Sequence, residues 1–262
     1  MCGIVGCVLK NDKVAPILLD SISKLEYRGY DSIGLATACD GKINLKKDAG
    51  KIDEVNSKLN FAEMPGSYGI AHVRWATHGD PSKENSHPHL NSAGTIAVVH
   101  NGIIENYHNL IERFGFRSSL VSETDTEVAC ALINKYYDGD AIDAIDKALK
   151  EIKGSYAFVI MFRGDDRLYA IRKDSPLIVG IGEDEYFVAS DITAISSYTN
   201  KYILLDEKEL VVLDRSGFIV SNDGVEICKE ISVFDTLDQS KDKCGYPHYM
   251  IKEIMEEPIV LE

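Results

Sequence analysis

With 262 residues and 45% hydrophobic side chains, the chain can bury a proper core as one large domain or two small ones. A formal net charge of −14 argues against a nucleic-acid partner or an anionic membrane surface, each of which favours a basic patch. The six cysteines, at positions 2, 7, 39, 130, 228 and 244, form no C-x-x-C pair, and no apolar run approaches the length of a membrane span. Residues 3–9 are too short for a signal core, so the expectation is a cytoplasmic protein with reduced thiols and no membrane contact.

Residues 3–9 read as a strand that is apolar on both faces, and 14–26 as a helix with Val14, Ile17, Leu18, Ile22 and Leu25 at helical spacing. An alternating stretch follows at 32–38, then strands at 42–47, 68–73 and 95–99. Between the last two lies 76–94, rich in turn formers; so long a loop suggests a lid, a binding segment or a disordered stretch. Helices are expected at 106–113, 124–136 and 141–152, the second opened by a Thr124/Glu127 capping box. From 153 the pattern changes to hairpins: 155–162 with 167–172, 177–181 with 186–190, and 210–214 with 218–221. Hairpins mean antiparallel pairing, so the reading is an α/β layered fold with antiparallel sheets. Beyond about 226 periodicity fades, and the end of the chain looks like part of a linker.

Cys2 follows the initiator methionine directly. Methionine aminopeptidases accept small second residues, so removal of Met1 is expected, leaving a thiol and a free α-amine on one residue. The amine titrates near ~8 and the thiol near ~8.5, so the first can take the proton of the second. Amine-assisted activation of a terminal nucleophile is a known form of covalent catalysis, although a cysteine here can also be a small core hydrophobe.

Other segments also admit two readings. Arg74 beside Trp75, the only tryptophan, offers a planar fork for a carboxylate or a cation stacked on an indole. Asn101-Gly102 supplies an amide and a glycine N–H for an oxyanion, or a tight turn. Asp125, in the first turn of a predicted helix, complements the helix dipole or binds an ammonium. His78, His87 and His89 share one loop, but no ligand spacing of a metal site accompanies them.

The motifs occur together and in one order. Cys2-Gly3-Ile4-Val5-Gly6, Tyr27-Arg28-Gly29-Tyr30-Asp31-Ser32 and His72-Val73-Arg74-Trp75-Ala76-Thr77-His78-Gly79 open the series. His100-Asn101-Gly102-Ile103-Ile104-Glu105-Asn106-Tyr107, Ser122-Glu123-Thr124-Asp125-Thr126-Glu127 and Gly154-Ser155-Tyr156-Ala157-Phe158 complete it. Together they resemble the class II glutamine amidotransferases, which are N-terminal-nucleophile hydrolases. Arg74-Trp75-Ala76-Thr77-His78-Gly79 and the tail from His248 to Ile254 look most like the branch that aminates fructose 6-phosphate to glucosamine 6-phosphate. The phosphoribosyl-pyrophosphate branch fits less well.

The resemblance implies a four-layer αββα sandwich of two antiparallel sheets flanked by helices. It implies a glutaminase domain at 2–240 and the start of an interdomain linker at 241–262, with a C-terminal sugar-isomerase part beyond. L-Glutamine would be the substrate, and no metal or organic cofactor would be needed. Cys2 would be the nucleophile, with Asn101 and the Gly102 N–H as the oxyanion hole. Arg74 would hold the substrate α-carboxylate and Asp125 its α-ammonium. Thr77 and His78 would contribute to the binding loop, Trp75 would gate the pocket, and Arg28 would support the cysteine. His87 would be a further pocket histidine. Two rival classes remain: a metal-assisted hydrolase using the loop histidines, and a non-catalytic glutamine-binding module. Within the resemblance, a glutaminase serving a different acceptor is the alternative.

Overall fold

A computed structural model of the chain describes residues 2–10, 13–77, 79–234, 246 and 249–260. Strand β1 (Gly3–Leu9) is apolar at every position because both of its faces are covered. Successive side chains on a strand point opposite ways, and Ile4 and Val8 enter one apolar layer while Val5, Cys7 and Leu9 enter another. After β1 come α1 (Val14–Ser23), β2 (Ser32–Cys39), β3 (Lys42–Ala49), α2 (Ile52–Leu59) and β4 (Tyr68–Arg74). The next segment holds β5 (His89–Leu90), β6 (Ile96–Ile104), α3 (Tyr107–Phe114), α4 (Asp125–Tyr136) and α5 (Ala141–Glu151). Then follow β7 (Gly154–Phe162), β8 (Leu168–Lys173), β9 (Ile178–Ile181), β10 (Glu185–Ala189) and β11 (Lys201–Leu204). The last elements are β12 (Leu210–Asp214), β13 (Gly217–Asn222), β14 (Val225–Ile227), β15 (Ser232–Val233) and α6 (Tyr249–Val260).

These strands form two sheets. One has the order β15-β11-β9-β10-β1-β4-β2-β3 and the other β14-β13-β12-β8-β7-β6-β5. Every strand pairing in both is antiparallel. Three apolar layers identify the stacking. Ile4, Ile70, Val99, Val159, Leu168 and Val211 interdigitate between the sheets. Leu18 and Ile22 of α1 and Val55 of α2 cover the outer face of the first sheet with Val5, Leu35 and Val73. Leu110 of α3, Val128 and Leu132 of α4 and Ile145 of α5 cover the second with Val98, Phe158 and Tyr169. This is the expected four-layer αββα sandwich, and each of the three hairpins occurs as read.

The differences are local and have physical causes. The first helix stops at Ser23, and Glu26–Arg28 continues as a 3₁₀ turn. Helix α2, not anticipated, is eight residues long and buries only Ile52 and Val55, too few positions to display a period. Helix α4 begins where Thr124 caps it, its Oγ1 accepting the Glu127 N–H at 3.4 Å, but only half of the expected box forms. The Glu127 carboxylate turns back to accept the N–H groups of Val121 and Ser122 in the incoming loop. Strands β14 and β15 and helix α6 lie where periodicity fades, the strands being two or three residues long. The boundary expected near 240 falls outside the described residues. Among the described residues no helix is long and apolar enough to cross a membrane.

Candidate active site

Three strands share the layer between the sheets and change character in step at one end of it. On β4, Tyr68 and Ile70 face that layer, so by the two-residue period His72 and Arg74 do too. On β6, Ala97 and Val99 face it from the other sheet, and Asn101 follows on the same face. On β1, Ile4 and Val8 face it, and Cys2 precedes them in phase. Because β1 and β4 are antiparallel with Gly3 opposite Val73, Cys2 stands beside Arg74. An apolar sandwich thus ends in a thiol, a guanidinium and an amide.

Hydrogen bonds hold this cluster in place. The Trp75 N–H points at Cys2 Sγ at 3.2 Å, and Asn101 Nδ2 donates to the Cys2 carbonyl at 3.0 Å, joining the two sheets. Asp31 accepts the Ala76 N–H at 2.8 Å and donates its own N–H to the Arg74 carbonyl, which fixes the turn after β4. Arg74 is buried, its Nη2 donating to the Gly79 carbonyl at 3.2 Å, and it interacts electrostatically with Cys2, Asp31 and Asp125. Asp125 is buried at the first residue of α4, where Oδ2 accepts the Ile104 N–H at 2.8 Å. Arg74 thus lies within electrostatic reach of both the thiol and the Asp125 carboxylate from the helix over the other sheet.

Burial raises the Cys2 thiol pKa, while the Trp75 N–H and the positive charge of Arg74 pull it down. Burial likewise lowers Arg74, opposed by Cys2, Asp31 and Asp125.

Asn101-Gly102 is not a turn. β6 runs on to Ile104, and its ladder with β7 continues to Gly154. Gly102 is required inside this strand: its φ is +134°, and a Cβ there would lie 2.1 Å from the Ser155 carbonyl oxygen. The loop 76–94 is also not a simple lid. Its described part turns inward, with Asn85, Ser86, His87, His89 and Asn91 all buried. The His87 carbonyl occupies the space that a side chain at Gly34 would need, 2.1 Å from an ideal Cβ. Lys47 of β3 binds the loop from below through the carbonyls of Glu84 and Ser86, at 3.2 and 2.5 Å.

Trp75 is 43% exposed and meets the half-exposed Tyr30 edge to face, with centroids 5.7 Å apart. Thr77 is exposed beside it, and His78 lies outside the described residues. The Arg28 guanidinium is engaged by Asp191 and by the Tyr27 hydroxyl, 3.0 Å from Nε. His87 lies behind the site, its ring stacked on His72 at 4.2 Å and its Nδ1 accepting the His100 N–H at 3.4 Å. Asp31, His72 and the Asn85–Glu123 pair (3.2 Å) were not singled out as site residues, though each brackets the cluster. Asp31 and His72 stand inside quoted motifs, and the alternation Tyr68, Ile70, His72, Arg74 is the signal that could have found His72.

Two stacked antiparallel sheets covered by helices, with a cysteine heading a central strand of one of them, are the arrangement of the N-terminal-nucleophile hydrolases. Residues 72–197 match a family described as glutamine amidotransferase domain. Glutamine–fructose-6-phosphate aminotransferases (isomerizing) are similar along the chain. That of Methanothermobacter thermautotrophicus is 50% identical over 98% of this chain and 44% of its own length. That of Clostridium tetani is 48% identical over 100% and 43%. Among solved structures, glutamine phosphoribosylpyrophosphate amidotransferase from B. subtilis aligns with a TM-score of 0.74 at 27% identity, covering 84% of this chain and 49% of that one. A class-II glutamine aminotransferase domain protein from Silicibacter pomeroyi shares the fold, with a TM-score of 0.59 at 14% identity. The chain belongs to the class II glutamine amidotransferases, as a glutaminase domain homologous to the glutamine–fructose-6-phosphate aminotransferases. It spans less than half the length of those relatives.

Proposed function

We propose that Cys2, freed of Met1, hydrolyses the side-chain amide of L-glutamine. The observation that carries this reading is the convergence of Cys2, Arg74 and Asn101 at one end of the layer between the sheets, with Asp125 in electrostatic contact with Arg74. Arg74 and Asp125 suit the α-carboxylate and α-ammonium of an amino acid, and their opposite charges select the zwitterion. The exposed Trp75 and Thr77 form the rim that closes over it. Arg28 secures the site from Asp191, and His87 packs behind it.

In the reaction the Cys2 thiol passes its proton to its own α-amine, directly or through water. The sulfur attacks the carboxamide carbon while the Trp75 N–H steadies its charge. Asn101 Nδ2 carries two N–H bonds; one holds the Cys2 carbonyl, and the other serves the oxyanion together with the Gly102 N–H. Collapse breaks the C–N bond, and ammonia leaves with the proton from the α-ammonium. Water then cleaves the γ-glutamyl thioester to glutamate. In the complete protein the ammonia passes to a C-terminal sugar-isomerase part for amination of fructose 6-phosphate, as the relatives' names suggest, with the glutaminase domain ending near 240. Such a reaction belongs in the cytoplasm.

Glutamate release tests this reading. Cys2→Ala abolishes it, and Asn101→Ala lowers it ~10²- to 10³-fold, the cost of one oxyanion donor. An Asn101→Ala variant within threefold of wild type removes that residue from the mechanism.

A further inference from the structure

We propose that His72 is a positioning residue that locks the Asn101 amide with its N–H bonds toward the nucleophile. The inference rests on the glutaminase reading above and follows from a chain of hydrogen-bond constraints.

His72 Nε2 lies 3.2 Å from the His100 carbonyl oxygen and 3.2 Å from Asn101 Oδ1. A backbone carbonyl only accepts and cannot be turned around, so Nε2 must carry the proton. With an N–H on that side, the Asn101 amide can present only its oxygen to the ring. Its nitrogen is then forced to the opposite side, where Nδ2 donates to the Cys2 carbonyl at 3.0 Å. A backbone acceptor on β6 thus sets a tautomer on β4, and the tautomer sets the orientation of the amide.

The surroundings hold the ring in that state. His72 is fully buried, its Nδ1 has no hydrogen-bond partner among the described residues, and His87 stacks on its face with an interplanar angle of 23°. Burial depresses its pKa to about 3, so it is neutral at working pH and Nδ1 stays bare. Without the ring's N–H, the single Nδ2 bond to the Cys2 carbonyl would be the only one of these contacts left to oppose a half-turn of the amide. Its oxygen would then face the developing oxyanion, replacing attraction by repulsion.

The test compares His72→Phe, which keeps a stacking ring without a donor, with His72→Gln, whose amide nitrogen reaches the Nε2 position. In glutamine hydrolysis by the full chain, His72→Phe lowers kcat ~10- to 100-fold, less than or equal to the loss of the whole donor, with KM within about twofold. His72→Gln restores kcat to within about threefold of wild type. In the Asn101→Ala background His72→Phe has no further effect, because the group it orients is gone. A loss that persists in that background, a proportionate rise in KM, or unchanged kcat in His72→Phe overturns the proposal. If His72→Phe does not fold, nitrogen-15 NMR of histidine in the wild-type chain decides. The proposal requires a neutral Nε2–H ring at position 72 from pH 5 to 8, and an Nδ1–H tautomer or an imidazolium refutes it. Full activity in Asn101→Ala would instead remove the glutaminase mechanism itself, so the two failures are distinguishable.

Discussion

Lowering the pH from 7.5 to 5.5 destabilises this fold because of its buried histidines. His72, His87 and His89 are each at most 5% exposed, and burial holds all three below the ordinary imidazole range, with Arg74 adding to each. In the unfolded chain the same rings take a proton near ~6.5. The unfolded state therefore binds more protons below that pH, and stability falls as pH falls. For one ring kept neutral in the fold, the loss at pH 5.5 is RT ln(1 + 10), about 1.4 kcal/mol, and at pH 7.5 it is negligible. Three such rings give about 4 kcal/mol, a large share of the ~5–15 kcal/mol that holds a domain together. Urea titration followed by circular dichroism measures the difference. With a slope of about 3 kcal/mol per molar, the midpoint drops by roughly 1.3 M between pH 7.5 and 5.5. Midpoints agreeing within a few tenths of a molar would mean that these rings are not neutral and buried together.

Two substitutions test the strand that carries the amide and the loop beside it. Gly102→Ala places a methyl group 2.1 Å from the Ser155 carbonyl in a left-handed backbone. It lowers stability by about 2–4 kcal/mol in urea titration and takes glutamine hydrolysis down at least ~10²-fold as Asn101 shifts. Lys47→Met removes the ammonium that binds the Glu84 and Ser86 carbonyls. The carbonyl of buried Ser86 then lacks this donor, at about 1–3 kcal/mol, so amide exchange in 79–94 quickens ~10-fold or more while that of β1 and β4 is unchanged. Uniform acceleration across the sheets would show that the lysine supports the fold rather than the loop.

Much of this architecture was legible because hydrophobic alternation and hairpin spacing report directly on burial. β1 is apolar on both faces because it is covered on both, and the three hairpins carry their turn residues in plain view. Asn101-Gly102 misled at the local level: the dipeptide favours turns, yet nine residues of pairing with β7 keep it extended. The loop 76–94 was read from composition alone, whereas its burial depends on the cavity over Gly34 and on Lys47, both distant in sequence. For the same reason His72 was hidden, since its role depends on acceptors 28 and 29 positions away. Motif order pointed to the cluster of Cys2, Arg74, Asn101 and Asp125; the hydrogen bonds that orient it required coordinates.

The most direct measurement sets the state of the amino terminus against turnover. Intact-mass analysis separates chains beginning at Cys2 from chains that retain Met1, and glutamate release is then assayed on each. A terminal general base contributes ~10²- to 10⁴-fold, so the Met1-retaining chain, whose Cys2 nitrogen is an amide, should lose at least ~10²-fold while keeping its fold. Glutamine hydrolysis at the full rate by that blocked chain would contradict the mechanism.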